Sequence, residues 1–166
     1  MNRSYNPLHL VNSYGAFGHI GIKRFECVIK GTNDPKLEEW FEYDFKAKPG
    51  NPTRSHPIIS PYHYRLDWQI WFAAMGSYQH NPWLVHYVYK LLKNDKDALS
   101  LILGNPFPDQ PPTFIKIDLY QYSFPKKEYK GSLKWDRRFV KPYLPPLNVS
   151  NPSLRNYISG NGWSTD

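Results

Sequence analysis

In the stretch Ile58-Ile59-Ser60-Pro61-Tyr62-His63-Tyr64-Arg65-Leu66-Asp67-Trp68-Gln69-Ile70-Trp71-Phe72-Ala73-Ala74 the chain changes period: strand-like runs precede it and helical runs follow. Pro61 biases Ser60 away from the helical region, so the chain enters extended. A helical pattern then begins near Leu66 or Asp67, with the acid in the first turn where the helix dipole favours it. Trp68 and Trp71 are three apart and share one helix face. His63, Arg65 and Asp67 lie among aromatics and need partners wherever they are buried. One reading is a helix start with a core face and a structural Arg65–Asp67 pair. The other is a recognition surface of Tyr62, His63, Tyr64, Arg65, Asp67, Trp68 and Trp71, because Trp, Tyr and Arg are the usual interface anchors. Composition does not separate the two.

Upstream of this stretch the period is two. Phe25, Cys27 and Ile29 alternate with Arg24, Glu26 and Lys30, the pattern of a half-buried strand. From Trp40 to Lys48, Phe41, Tyr43, Phe45 and Ala47 face one way while Glu42, Asp44, Lys46 and Lys48 face the other. The two runs are expected to pair antiparallel with one wet face. Pro49-Gly50-Asn51-Pro52 closes the second. The glycines of Tyr14-Gly15-Ala16-Phe17-Gly18 lack the spacing of a phosphate loop.

Downstream, Gly76 is expected to end the first helix. Asn81-Pro82 reads as a capping side chain with proline at the first helical position. The second helix carries Trp83, Leu84, Tyr87, Val88, Leu91 and Leu92 on one stripe. A short third helix spans Asp95 to Leu103, with Gly104 as its C′ residue. Phe114 to Phe124 returns to strand, with Ile115, Ile117 and Leu119 on one face, and a final helical turn is expected at Pro152 to Ser159. The fold class is therefore α+β: an antiparallel sheet or sandwich-like β core with about three short helices inserted between strands. Residues 1–166 form one domain, with frayed ends at about 1–7 and 160–166.

Aromatics make up 17% of the 166 residues and there are 16 prolines, which fits strands joined by proline-bearing turns and excludes disorder. Cys27 is the only cysteine, so neither an internal disulfide nor a cysteine-rich zinc site can form. No apolar run reaches the ~18–20 residues of a membrane span. The chain on its own is expected to be soluble. Its net charge is +7, of which Lys126 to Lys141 carries +5, including Arg137 and Arg138. Such a segment suits an acidic partner, a lipid headgroup layer or a nucleic acid. Tyr129, Trp135 and Phe139 interleave with it as stacking residues would, but no RNA- or DNA-binding signature accompanies them, and no nucleic acid is expected.

Catalytic constellations are missing. His80 and His86 are six apart, no HExxH or Gly-x-Ser-x-Gly pattern occurs, and the acids fall mostly on solvent-facing strand positions. Neither a catalytic residue, a cofactor nor a metal is expected, and the chain does not read as an enzyme. Asn2 and Asn148 begin glycosylation sequons, which matter only in the secretory lumen.

Several long words in order resemble the C-terminal domain of the lipase maturation factors. They are Leu10-Val-Asn-Ser-Tyr-Gly-Ala-Phe-Gly18, Tyr43-Asp-Phe-Lys-Ala-Lys-Pro-Gly50 and Ile59-Ser-Pro-Tyr-His-Tyr-Arg-Leu-Asp-Trp-Gln69. Trp71-Phe-Ala-Ala74, Lys90-Leu-Leu92, Asn105-Pro-Phe107, Tyr120-x-Tyr-x-Phe124, Pro145-Pro-Leu147 and Gly162-Trp163 follow in the same order, so the likeness runs from about Leu8 to Trp163. The resemblance implies a glycoprotein of the endoplasmic reticulum membrane whose large C-terminal region works on the luminal side. It also implies a chaperone-like task in lipid metabolism: helping secreted dimeric lipases such as lipoprotein lipase fold and assemble. Client lipases are then the expected partners. The family's multi-span N-terminal part is missing from this chain, and Ala47 and Pro57 stand where some animal members carry cysteine. The rival expectation is a ligand-binding or hydrolytic β domain with a pocket around His63, Arg65 and Asp67.

Overall fold

The computed structural model describes residues 23–55, 57–59, 63–125 and 131–164. Asn2, Tyr62, Tyr129, the Tyr14–Gly18 glycine stretch and the N-terminal fraying lie outside them. Strand β1 (Arg24–Thr32) pairs antiparallel with β3 (Phe114–Ser123) in unbroken register, from Arg24 opposite Tyr122 to Thr32 opposite Phe114. The outer strands are β2 (Phe41–Glu42), beside β1, and β4 (Asp136–Leu147), beside β3, giving one four-stranded sheet of order β2-β1-β3-β4. Helices α1 (Arg65–Ala73), α2 (Pro82–Leu92) and α3 (Lys96–Ser100) lie between β2 and β3 in sequence, and α4 (Pro152–Gly160) follows β4. The class is α+β, and among the described residues the strands form one sheet rather than a sandwich.

The period-two reading locates the core. Cys27 and Ile29 of β1, Ile115, Ile117 and Leu119 of β3, and Leu144 of β4 bury one sheet face against the helices. Helix α2 is apolar nearly all round and sits in the middle of this layer, with Leu84, Val85, Tyr87, Val88, Tyr89, Leu91 and Leu92 buried. Helix α4 adds Leu154 and Ile158. Gly31 is required by close approach: a Cβ there would stand 2.6 Å from the Phe107 ring, which fills the end of the core.

The other sheet face is not the wet one the alternation suggests. Tyr43, Phe45 and Ala47 point into the core as expected, but the chain then crosses to the second face. There the Tyr122 hydroxyl donates to the Gly50 carbonyl (2.8 Å), and the Lys134 and Trp135 amides donate to that of Pro52. Val28, Tyr122 and Trp135 form a small second core beneath this crossing. Glu26 and Lys48, both assigned to solvent by the pattern, are buried at 0% and 4% exposure. Arg137 of β4 reaches Glu42 of β2 with two hydrogen bonds, at 2.7 and 2.9 Å. Three strand spacings of roughly 4.8 Å separate those outer strands.

Several local expectations are corrected. The Asn81 side chain does not cap α2; it donates to the Ser77 carbonyl, although Pro82 does occupy the first turn. Asp95 supplies the side-chain cap for α3 by accepting from the Ala98 amide, and α3 stops at Ser100, short of Gly104. Helix α1 ends at Ala73, ahead of Gly76. Near the C-terminus Gly160, Asn161 and Gly162 are exposed, while the Trp163 indole stacks on His86 at 4.6 Å and 4°.

Candidate functional site

Helix α1 divides the central stretch into two sides. Leu66, Asp67, Ile70 and Ala73 face inward, while Trp68, Trp71 and Phe72 lie on the outer side in mutual contact, with ring centroids 5.2–5.3 Å apart. The spacing argument for a shared Trp68–Trp71 face holds, and the face is a half-exposed shelf rather than the core stripe. Phe72 extends this shelf at 42% exposure. Sequence reasoning missed it, although its i, i+4 distance from Trp68 was legible.

The shelf borders a cavity of about 190 Å³ lined by Arg24, Ala47, Lys48, Ile59, His63, Tyr64, Asp67, Trp68 and Trp71. Asp67 is buried and does not pair with Arg65. Its Oδ1 accepts from the amides of Ala47 (2.6 Å) and Lys48 (3.0 Å), tying the chain after β2 to the first turn of α1. The Lys48 ammonium in turn donates to the Cys27 carbonyl at 3.0 Å and ion-pairs with Glu26 at 2.8 Å. Arg24 holds the other Glu26 oxygen at 2.7 Å. Glu26 thus carries two cations, Arg24 and Lys48, beside the cavity, while the second Asp67 oxygen, Oδ2, is buried with no hydrogen-bond partner among the described residues. Burial pushes the adjoining Cys27 thiol up to about 12, which keeps it protonated and inert at neutral pH.

His63 sits at the exposed rim, its ring 5.6 Å from Trp68. Tyr64 is also exposed, with the Lys46 ammonium 5.5 Å above its ring. Arg65 opens onto a different hollow of about 590 Å³, between α1, α2 and α3, beside Gln69, His86, Lys90 and Asp95. His63 and Asp67 therefore share a cavity that Arg65 does not enter, so the three-residue pocket does not assemble. Arg137 is drawn off by Glu42 and by Tyr122, whose hydroxyl accepts at 3.3 Å. Arg138 stays exposed, with one 3.3 Å bond to Gln121. Asn148 accepts the Ser150 amide through its own side-chain oxygen at 2.7 Å, an Asx turn across the sequon. Among the described residues no group of three or more His, Cys, Asp or Glu side chains is arranged to hold a metal, and no helix is long and apolar enough to cross a membrane.

The site lies within the range over which this chain is similar to known sequences. The family model for the lipase maturation factor C-terminal domain matches residues 10–145. The chain belongs to the lipase maturation factor family. It is 44% identical to lipase maturation factor 1 of Bos taurus, across 98% of this chain and 30% of that protein. It is 42% identical to lipase maturation factor 1 of Homo sapiens at the same coverage. It is 36% identical to lipase maturation factor 2 of Xenopus tropicalis, across 98% of this chain and 24% of that protein. The chain thus spans less than a third of these relatives. No solved structure matches it.

Proposed function

We propose that this domain is the client-handling part of a lipase maturation factor. It assists the folding and dimer assembly of secreted lipases, such as lipoprotein lipase, on the luminal side of the endoplasmic reticulum membrane. The observation that carries this reading is the aromatic shelf. Helix α1 fills the core with Leu66, Ile70 and Ala73 and keeps three large rings outside it. Clustered, partly exposed indoles are the usual anchors of a protein interface. The charge cluster beneath them fixes the shelf without offering a nucleophile, which favours holding a client over reacting with it.

The test is co-expression of a lumen-targeted version of the chain in cells lacking the endogenous factor, scored for secreted lipase activity and for direct lipase capture. Capture is expected. A folded Trp68→Ser, Trp71→Ser variant should capture roughly thirtyfold less, the scale of losing hot-spot residues. Unchanged capture by that variant overturns the shelf as the client site. Unfolding of the variant assigns both indoles to the scaffold instead.

A further inference from the structure

The β3–β4 hairpin continues beyond the helical layer. Near its open end Ile115, Ile117, Leu119, Tyr143 and Leu144 belong to the helix-side core, whereas residues 121–124 and 136–141 contribute nothing to it. In this outer part Phe124 is 77% exposed, Phe139 50% and Val140 40%. These side chains are large, apolar and already ordered. Phe124 stacks on buried Trp135 (4.8 Å, 21°), and Phe139 stands edge-on to Tyr120 at 5.7 Å. Val140 sits where the register slips between the Leu119–Lys141 and Tyr120–Phe139 pairs, so it is the bulged residue of an outer strand. Along and just before the same outer strand Lys134, Arg138 and Lys141 are exposed, Arg138 and Lys141 opposite Gln121 and Leu119, and among the described residues 131–141 Asp136 is the one acid.

We propose that this end of the hairpin docks on an anionic lipid surface. Phe124, Phe139 and Val140 enter the headgroup layer, and Lys134, Arg138 and Lys141 pair with acidic headgroups. The positive charge alone would suit an acidic protein equally well. The apolar part decides for lipid. Phe124 and Phe139 each pack on a different neighbour, Trp135 and Tyr120, and neither hollow described above includes Phe124, Phe139 or Val140. A partner that moulds itself around separate protruding rings is a fluid interface, where binding grows with buried apolar area and with attraction to anionic lipid together. This docking is independent of lipase capture, since it uses none of the shelf residues and requires no client.

The test is sedimentation of the full chain with phosphatidylcholine vesicles, with and without phosphatidylserine, over a salt series. Binding is expected only to the phosphatidylserine vesicles and should weaken with salt. Arg138→Gln with Lys141→Gln should lower the partition coefficient roughly 25-fold, about fivefold for each cation near the surface. Phe124→Ser with Phe139→Ser should weaken the binding that persists at high salt. Arg155→Gln with Tyr157→Ser, exposed on α4, is the control and should change nothing. All the substituted residues are exposed, and a thermal melt verifies that each variant is folded. Three results overturn the proposal: no vesicle binding by the parent chain, binding indifferent to both hairpin variants, or phenylalanine-dependent capture of soluble polyglutamate in place of vesicles. The last would assign the hairpin to an acidic protein.

Discussion

Lys48 carries its ammonium into the interior, and what makes that tolerable is Glu26, 2.8 Å away and wholly buried. Removing one member of such a pair strands the other charge in a poorly solvated site, which costs about 3–5 kcal/mol. Replacing both with apolar groups of similar size removes that penalty. Glu26→Leu is therefore expected to lose most of the protein's stability in urea unfolding, and Glu26→Leu with Lys48→Met to recover a large part of it. If the double variant is no better than the single one, the pair is not what holds the crossing segment. This cluster was not legible in the sequence. Lys48 follows Ala47 in a clean alternation, and period two sends it to solvent; nothing local says that strand pairing ends at Glu42 and that the chain beyond Lys48 folds over the second face. Asp67 was legible as a polar group in need of partners. Its partners were not, because the Ala47 and Lys48 amides lie about twenty residues upstream.

Among the elements, β1, β3 and α2 could be read because each carries most of its apolar residues at strand or helix spacing. Strand β4 could not. Pro142, Pro145 and Pro146 argue against a strand, and its register shifts erase the alternation. An outer position tolerates prolines, since donors on the open side are not needed. The contact between α2 and the end of the chain was equally hidden, as it joins residues 77 apart in sequence. There the His86 imidazole lies flat on Trp163, and burial, reinforced by the Lys90 charge and opposed by Asp95, holds its pKa below the ordinary 6.5. The unfolded chain thus takes up this proton first. The contribution of His86 is complete above the ordinary value, and it declines as pH falls through 6.5 toward the lower folded value. Urea midpoints measured between about pH 7.5 and pH 5.5 should drop on acidification. His86→Phe, which keeps a ring against Trp163, should drop less, and an identical pH slope in that variant would remove His86 from the account.

At the scale of the molecule, the family match and the folding unit do not end at the same place. The match stops at residue 145, yet the helix-side core includes Leu154 and Ile158 of α4, with Val149 and Trp163 packed against it. Burying each such aliphatic side chain is worth about 1.5–3 kcal/mol. Two of them, with part of an indole, make up a large share of the roughly 5–15 kcal/mol by which a domain is stable. Helix α4 begins with Asn151 accepting from the Ser153 amide and Pro152 in its first turn, so it has its own start signal and closes over the core as a unit. A chain cut after Leu147 should therefore keep its sheet but lose cooperative packing, binding a hydrophobic dye and melting broadly. A chain cut after Ser164 should melt as the full one does. Sharp, unchanged melting of the shorter chain would show that α4 only decorates a core already complete without it.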